Sequence, residues 1–252
     1  AQPRETVAVA LDQLLQRLPG VVQAAELAQD EINATGGILG RKLELKFYDD
    51  QSGADGALKA FNTAVLQDEV IAIVSMETTA ARNAGLPVTQ KMNIPFVYSS
   101  QYEGRACSPN LFINGSVPEQ TGGVVDYFTK KTGAKTWFLV GSDYAYARES
   151  LAAYKKLIED VGGTVVAMEF NPIDSPDWTA ILQKIRSTKP DAVASAFAGG
   201  APNVTFFKQW RDGGFSLPHL SLGIEEGTAL SLGNAAAGVV YPSSYFTTVD
   251  SE

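Results

Sequence analysis

The sequence predicts an α/β protein built from doubly wound parallel sheets, and three observations carry that prediction. Strand-length apolar runs alternate with helical apolar spacing along almost all of the 252 residues. Such alternation demands parallel pairing through right-handed crossovers, with helices on both faces of a sheet. The strand-sized segments are also more numerous than one open sheet comfortably carries, since open sheets of about ten strands tend to split.

The elements follow in order. A short apolar strand spans 6–10. Over about 21–33, Val22, Ala25, Leu27, Ala28 and Ile32 fall at helical spacing, and Gly36-Gly37 closes that helix. Residues 42–48 alternate, with Leu43, Leu45 and Phe47 on one face, and Asp49-Asp50 ends the strand. A helix over about 53–67 leads to a strand over 70–75, and a helix over about 79–91 leads to a strand over 94–98. Beyond a loop over 99–110, a helix over about 119–131 precedes the apolar run Trp137-Phe138-Leu139-Val140, which breaks at Gly141. That run reads as a buried parallel strand turning into a helix, with Ser142 and Asp143 placed as N-caps. Three further helices, over about 144–161, 178–187 and 204–212, each lead to a strand, over 164–170, 192–197 and 219–222.

The seam between two β/α series falls at Gly115-Ser116-Val117-Pro118. The expected architecture is therefore two lobes, 1–116 and 117–242, with a cleft between facing strand ends. The stretch YPSSYFTTVD begins a crossover, 243–252, back toward the first lobe.

Several function classes are disfavoured. A formal net charge of -8 argues against nucleic acid and anionic membrane surfaces. No run approaches ~18 consecutive apolar residues, so no membrane insertion is expected. The single histidine, His219, removes a histidine metal cluster and reads as a packed or surface residue rather than a triad member. Cys107 lies in a loop without an adjacent base, which suits an inert thiol. Neither phosphate-binding glycine motif occurs, and GGILGRK (36–42) lies on the wrong side of its strand for that task. No catalytic, metal or cofactor constellation is expected.

What remains are polar groups at strand C-termini, where open α/β sheets bind ligands. Thr78 and Thr79 follow one strand and start a helix, whose N–H groups and hydroxyls suit a carbonyl or carboxylate. Tyr98, Ser99, Ser100 and Tyr102 follow another. Tyr144 and Tyr146 hang over the same rim, each with an apolar ring and a polar tip, although the spacing also suits rings packing the helix start. Glu225 and Glu226 offer carboxylates to an ammonium or amide. Taken singly, each reads first as an N-cap or a solvated group, and convergence on one rim is what marks them.

These stretches resemble the type I periplasmic solute-binding proteins, in the branch that takes branched-chain amino acids, amides and urea. The resemblance rests on EINATGGILGRKLELKFYDD (31–50), TTAARNAGLPV (78–88), YSSQYEGRACSPNLF (98–112) and GSDYAYARES (141–150), and the amide- and urea-binding members look closest. It implies that Thr79 and Ser100 offer hydroxyl and N–H groups, that Tyr98 and Tyr102 border the pocket, and that Tyr144 and Tyr146 close over the ligand. Glu225 matches the acidic residue that takes an amino group. The implied role is extracytoplasmic or periplasmic capture of a short amide, urea or branched-chain amino acid for an ABC transporter permease. Ala-Gln-Pro then fits a mature end after signal-peptide removal. Two alternatives share these residues: a sensor of the same fold controlling amide utilisation, and an amide hydrolase. LDQLLQRL (11–18) departs from the family's glycine-rich turn, and the family's return into the first lobe implies a C-terminal part of that lobe beyond Glu252.

Overall fold

Each of the two units of the chain, Ala1–Gly115 and Ser116–Glu252, carries one five-stranded parallel sheet. The computed structural model describes residues 4–11, 19–50, 53–104, 106–115, 117, 121–243 and 246–248. Residues 12–18 of LDQLLQRL, seam residues Ser116 and Pro118, and residues 244, 245 and 249–252 of the expected crossover lie outside the described residues.

The first unit runs β1 (Arg4–Leu11), α1 (Pro19–Ala34), β2 (Lys42–Asp49), α2 (Ala54–Leu66), β3 (Ala72–Met76), α3 (Thr79–Met92), β4 (Phe96–Tyr98) and β5 (Leu111–Ile113). Its sheet order is β2-β1-β3-β4-β5. Burial follows position in the sheet. Val7, Ala8 and Val9 of β1, flanked on both sides, are buried, whereas edge strand β2 is half-buried and leaves Phe47 40% exposed. Between α1 and β2, Ile38 and Arg41 pair across a two-residue turn with Leu39 and Gly40 at φ 51° and 79°. Gly37 has no substitute there, because a Cβ would lie 2.0 Å from the Arg41 carbonyl oxygen.

The second unit runs α4 (Gly123–Thr132), β6 (Thr136–Ser142), α5 (Ala145–Asp160), β7 (Thr164–Asn171), α6 (Thr179–Thr188), β8 (Ala192–Ala196), α7 (Ala201–Asp212), β9 (His219–Ser221), α8 (Glu226–Leu232), a 3-10 turn and β10 (Val239–Val240). Its sheet order is β10-β9-β8-β6-β7. Alternation along β6 divides the core in two. Trp137 and Leu139 join Leu151, Tyr154 and Ile158 of α5. Phe138 and Val140 join Trp178, Phe197, Phe206, Phe207 and Trp210. Both faces of β6 are covered, so Trp137 through Val140 are all 0% exposed, and the run needs no polar alternation. Trp178 meets Phe197 and Phe206 edge-on at 4.9 and 5.2 Å, contacts worth about 0.5–1.5 kcal/mol each beyond burial.

Three expectations are corrected. β5 is a strand that the sequence pattern passes over, since three residues between Asn110 and Asn114 are too few to show a period. α8, the 3-10 turn and β10 likewise follow the expected last strand, each too short for a periodic signal. Ser142 and Asp143 are not N-caps. β6 runs on to Ser142, which pairs with Asn171, and the Asp143 N–H still donates to the Asn171 carbonyl, so the cap position falls on Tyr144, without a side-chain cap bond. Ser142 Oγ instead accepts from the Ala198 N–H at 3.1 Å, and Asp143 pairs with Arg148 at 2.7 Å.

Candidate functional site

Each sheet reverses its direction of growth once, and that reversal locates a crevice at the carboxyl ends of its strands. In the first unit β1 has β2 on one side and β3 on the other; in the second, β6 lies between β7 and β8. The chain leaving β3 is Glu77-Thr78-Thr79, and the chain leaving β6 is Asp143-Tyr144-Ala145-Tyr146.

In the first unit, Thr78 is the N-cap of α3: its Oγ1 accepts from the Ala81 N–H at 3.3 Å. Thr79, 5% exposed, donates its hydroxyl to Glu103 Oε2 at 3.0 Å. Arg82, one helical turn on, meets the same carboxylate through both terminal nitrogens. This ion pair is fully enclosed, with side chains 1% and 3% exposed. The guanidinium also lies 5.0 Å from the Tyr98 ring centroid and 4.9 Å from that of Tyr102, and donates to the Asn83 side chain.

Tyr98 donates its hydroxyl to the Glu77 carbonyl at 2.9 Å and shares a hydrogen bond with the Ser100 side chain; burial pushes its phenol up to about 12. Tyr102 fastens its loop through the Ala106 backbone, and burial raises its phenol also. Four sequence-predicted residues, Thr79, Tyr98, Ser100 and Tyr102, thus share one network with Arg82 and Glu103. Tyr98 and Tyr102 serve it as buried walls. Removing one partner of such an ion pair costs about 3–5 kcal/mol, because the other charge is left uncompensated.

Arg82 and Glu103 were not among the residues the sequence singled out. The available signal was spacing: Arg82 is three residues beyond Thr79 and so shares its helix face, and Glu103 adjoins Tyr102.

In the second unit, Tyr144 and Tyr146 are half-buried with ring centroids 5.9 Å apart, and Tyr144 packs against the α5 side of the core. Arg148 lies 4.4 Å from the Phe170 ring centroid. Glu225 is exposed at the start of α8 and makes no side-chain cap bond. Glu226 is occupied: its two carboxylate oxygens accept the N–H and hydroxyl of both Thr247 and Thr248. These four bonds hold its carboxyl down at about 2. His219 is packed, one of the two non-catalytic readings that the sequence offered. It is 2% exposed, shares a 2.8 Å hydrogen bond with Ser195, and is ringed by Phe206, Phe207 and Trp210. Cys107 is exposed.

Among the described residues, no group of three His, Cys, Asp or Glu side chains could hold a metal ion. No helix among them is long and apolar enough to cross a membrane.

A family model described as periplasmic binding protein matches residues 17–252. The chain is 24% identical over 194 residues to Leu/Ile/Val-binding protein homolog 6 of Brucella melitensis, covering 74% of this chain and 50% of that protein. It is 28% identical over 182 residues to the Leu/Ile/Val-binding protein BraC3 of Rhizobium johnstonii, covering 69% and 48%. The chain therefore spans about half the length of these curated relatives. Among solved structures, the branched-chain amino acid transporter substrate-binding protein LivJ of Streptococcus pneumoniae, in complex with isoleucine, aligns with a TM-score of 0.84 at 24% identity, covering 99% of this chain and 73% of that one. A solute-binding protein of an ABC transporter from R. palustris, in complex with benzoate, aligns with a TM-score of 0.85 at 22% identity, covering 98% and 70%. At these identities the structural likeness speaks for the fold, two parallel-sheet α/β units of the periplasmic binding protein type I kind. With the family model matched from residue 17 to residue 252, the chain belongs to the periplasmic binding protein family.

Proposed function

We propose that the protein captures a small polar organic solute outside the cytoplasm, by closing its two units on it, and hands the solute to an ABC transporter permease. The observation that carries this reading is the polar set Thr78, Thr79 and Ser100 at the carboxyl-terminal rim of the first sheet, in a chain matched by the family model almost throughout. Closure would be favoured because a solute touching both units only when they are closed stabilises that state by its differential affinity.

The relatives named Leu/Ile/Val-binding and the isoleucine-bound neighbour support a branched-chain amino acid. Short amides and urea fit the same hydroxyls and tyrosine rings. The benzoate-bound neighbour adds a small aromatic acid to the candidates. Tyr144 and Tyr146 would supply apolar rings with polar tips, and the exposed Glu225 carboxylate would meet an ammonium or amide N–H. The protein's part is binding and release, with no covalent step.

Calorimetric titration of the folded protein with isoleucine, acetamide, urea and benzoate tests the reading. Micromolar binding of one class supports it and fixes the solute type; no binding by a folded sample overturns it for these solutes. Tyr144→Ala should weaken the bound solute by more than about 1 kcal/mol if the ring stacks on it.

A further inference from the structure

Thr78 and Thr79 stand side by side at the start of α3, yet their hydroxyls are committed in opposite senses. Thr78 Oγ1 accepts from the Ala81 N–H, so its proton remains to be donated elsewhere. The proton of Thr79 is already placed. Glu103 is 5% exposed and is bound by the Arg82 guanidinium on both carboxylate oxygens, with Arg82 itself 1% exposed. A carboxylate so paired is ionised and can only accept. In the 3.0 Å contact between Thr79 Oγ1 and Glu103 Oε2, the donor is therefore Thr79. A hydroxyl has one proton, and what Oγ1 has left to offer is lone pairs.

The surroundings hold this polarity in place. The Tyr98 and Tyr102 rings flank the guanidinium at 5.0 and 4.9 Å, and the Asn83 side chain accepts from its Nε and Nη2, so Arg82 is held from several sides. Tyr98 also shares a hydrogen bond with the Ser100 side chain, the neighbouring polar group on the β4 side.

We infer that Arg82 and Glu103 are positioning residues that lock the Thr79 hydroxyl as a hydrogen-bond acceptor, so that the α3 end of the site selects solutes presenting an N–H donor beside an oxygen acceptor. The inference rests on the binding reading proposed above. An α-amino acid and a primary amide both present that pair, with Thr78 donating to the oxygen and Thr79 accepting from the nitrogen. A bare carboxylate brings only lone pairs to Thr79, which repel.

Exchanging the carboxylate for an amide should reverse the polarity. In Glu103→Gln, the amide oxygen keeps the Arg82 Nη2 bond at the Oε1 position, while the amide N–H₂ takes the Oε2 position, gives up the bond from Arg82 Nη1 and turns to Thr79, which then accepts from Gln and has its own proton free. The experiment compares matched solutes with and without the nitrogen, leucine against 4-methylpentanoate and acetamide against acetate. Their affinities are measured by calorimetry in the wild type, Glu103→Gln, Thr79→Val and the double variant, each checked by thermal melting. The wild type should prefer the nitrogen-bearing member of the pair that binds. Glu103→Gln and Thr79→Val should each narrow that preference by on the order of 10- to 100-fold, the worth of one hydrogen bond to a charged group. Glu103→Gln should add nothing further once Thr79 is Val.

Equal weakening of both members of a pair by Glu103→Gln, or an effect that persists undiminished in the Thr79→Val background, would show that the ion pair only holds the fold and would overturn the inference while leaving solute binding intact. Should Glu103→Gln not fold, Thr79→Ser against Thr79→Val makes the same comparison: Ser retains the preference and Val loses it, and an equal result overturns the inference. If the folded wild type binds no member of either pair, the binding reading fails for these solutes and the inference falls with it.

Discussion

The side chain of Asn33 exchanges two hydrogen bonds with the backbone of Leu43, its amide N–H₂ donating to the carbonyl and its oxygen accepting from the N–H, each at 2.8 Å. The last turns of α1 thereby take the place of a missing neighbour strand, and Gln29 does the same for the Leu45 N–H at 2.7 Å. β2 is an edge strand, and an unpaired edge is a template for another chain. Asn33→Ala should cost about 1–2 kcal/mol in urea denaturation, the worth of one or two net hydrogen bonds. It should also raise self-association in sedimentation.

A second prediction concerns Gly115. A Cβ added there would lie 1.7 Å from the Ser100 carbonyl oxygen, a backbone atom that cannot swing aside. Gly115→Ala should destabilise the first unit by about 1–3 kcal/mol, the usual cost of overpacking. It should also shift the backbone resonances of Ser100 and Gln101, the residues that the added Cβ meets. A fully native spectrum would refute it.

Glu226 makes the third. Its folded carboxyl is held at about 2, below the ordinary 4.5, by its bonds to Thr247 and Thr248. A depressed carboxyl contributes stability that is full above pH 4.5 and lost as pH falls toward 2. Exchange protection of the Thr247 and Thr248 amides, corrected for intrinsic rates, should be level above pH 4.5 and decline below it. Glu226→Gln should lower the protection at neutral pH and flatten the profile.

His219 makes the fourth, in a different pH range. Burial pushes its imidazole from 6.5 down to about 3, so the folded protein keeps it neutral where the unfolded chain would protonate it. The stability it protects is complete above pH 6.5 and is lost as pH falls from 6.5 toward 3, at close to 1.4 kcal/mol per pH unit. Denaturation curves for wild type and His219→Gln should therefore converge on acidification, and parallel curves would contradict the assignment.

The strands and helices that could be read from the chain are those whose burial imposes a period or an unbroken apolar run. Trp137 to Val140 is legible because β6 is covered on both faces, and the helix ending at Gly36-Gly37 because its stop signal is local. β5 and β10, of three and two residues, exist only because a neighbouring strand is there to pair with them. The first-unit polar network was legible at Thr79 and Ser100, which stand where chain leaves a strand. It was not legible at Arg82. A charged residue on a helix normally reads as solvated, and here the partner that draws it inward is Glu103, 21 residues along the chain. Glu226 misled in the opposite way: a carboxylate that reads as available is taken up by two threonines whose approach only the fold reveals.

All three tryptophans, Trp137, Trp178 and Trp210, are buried in the second unit, and the first has none. Selective excitation of indole emission therefore reports on one half of the molecule. A melt followed that way traces the second unit alone, whatever the first has done. Unfolding of the first unit needs a label of its own, and the exposed Cys107 is the natural attachment point.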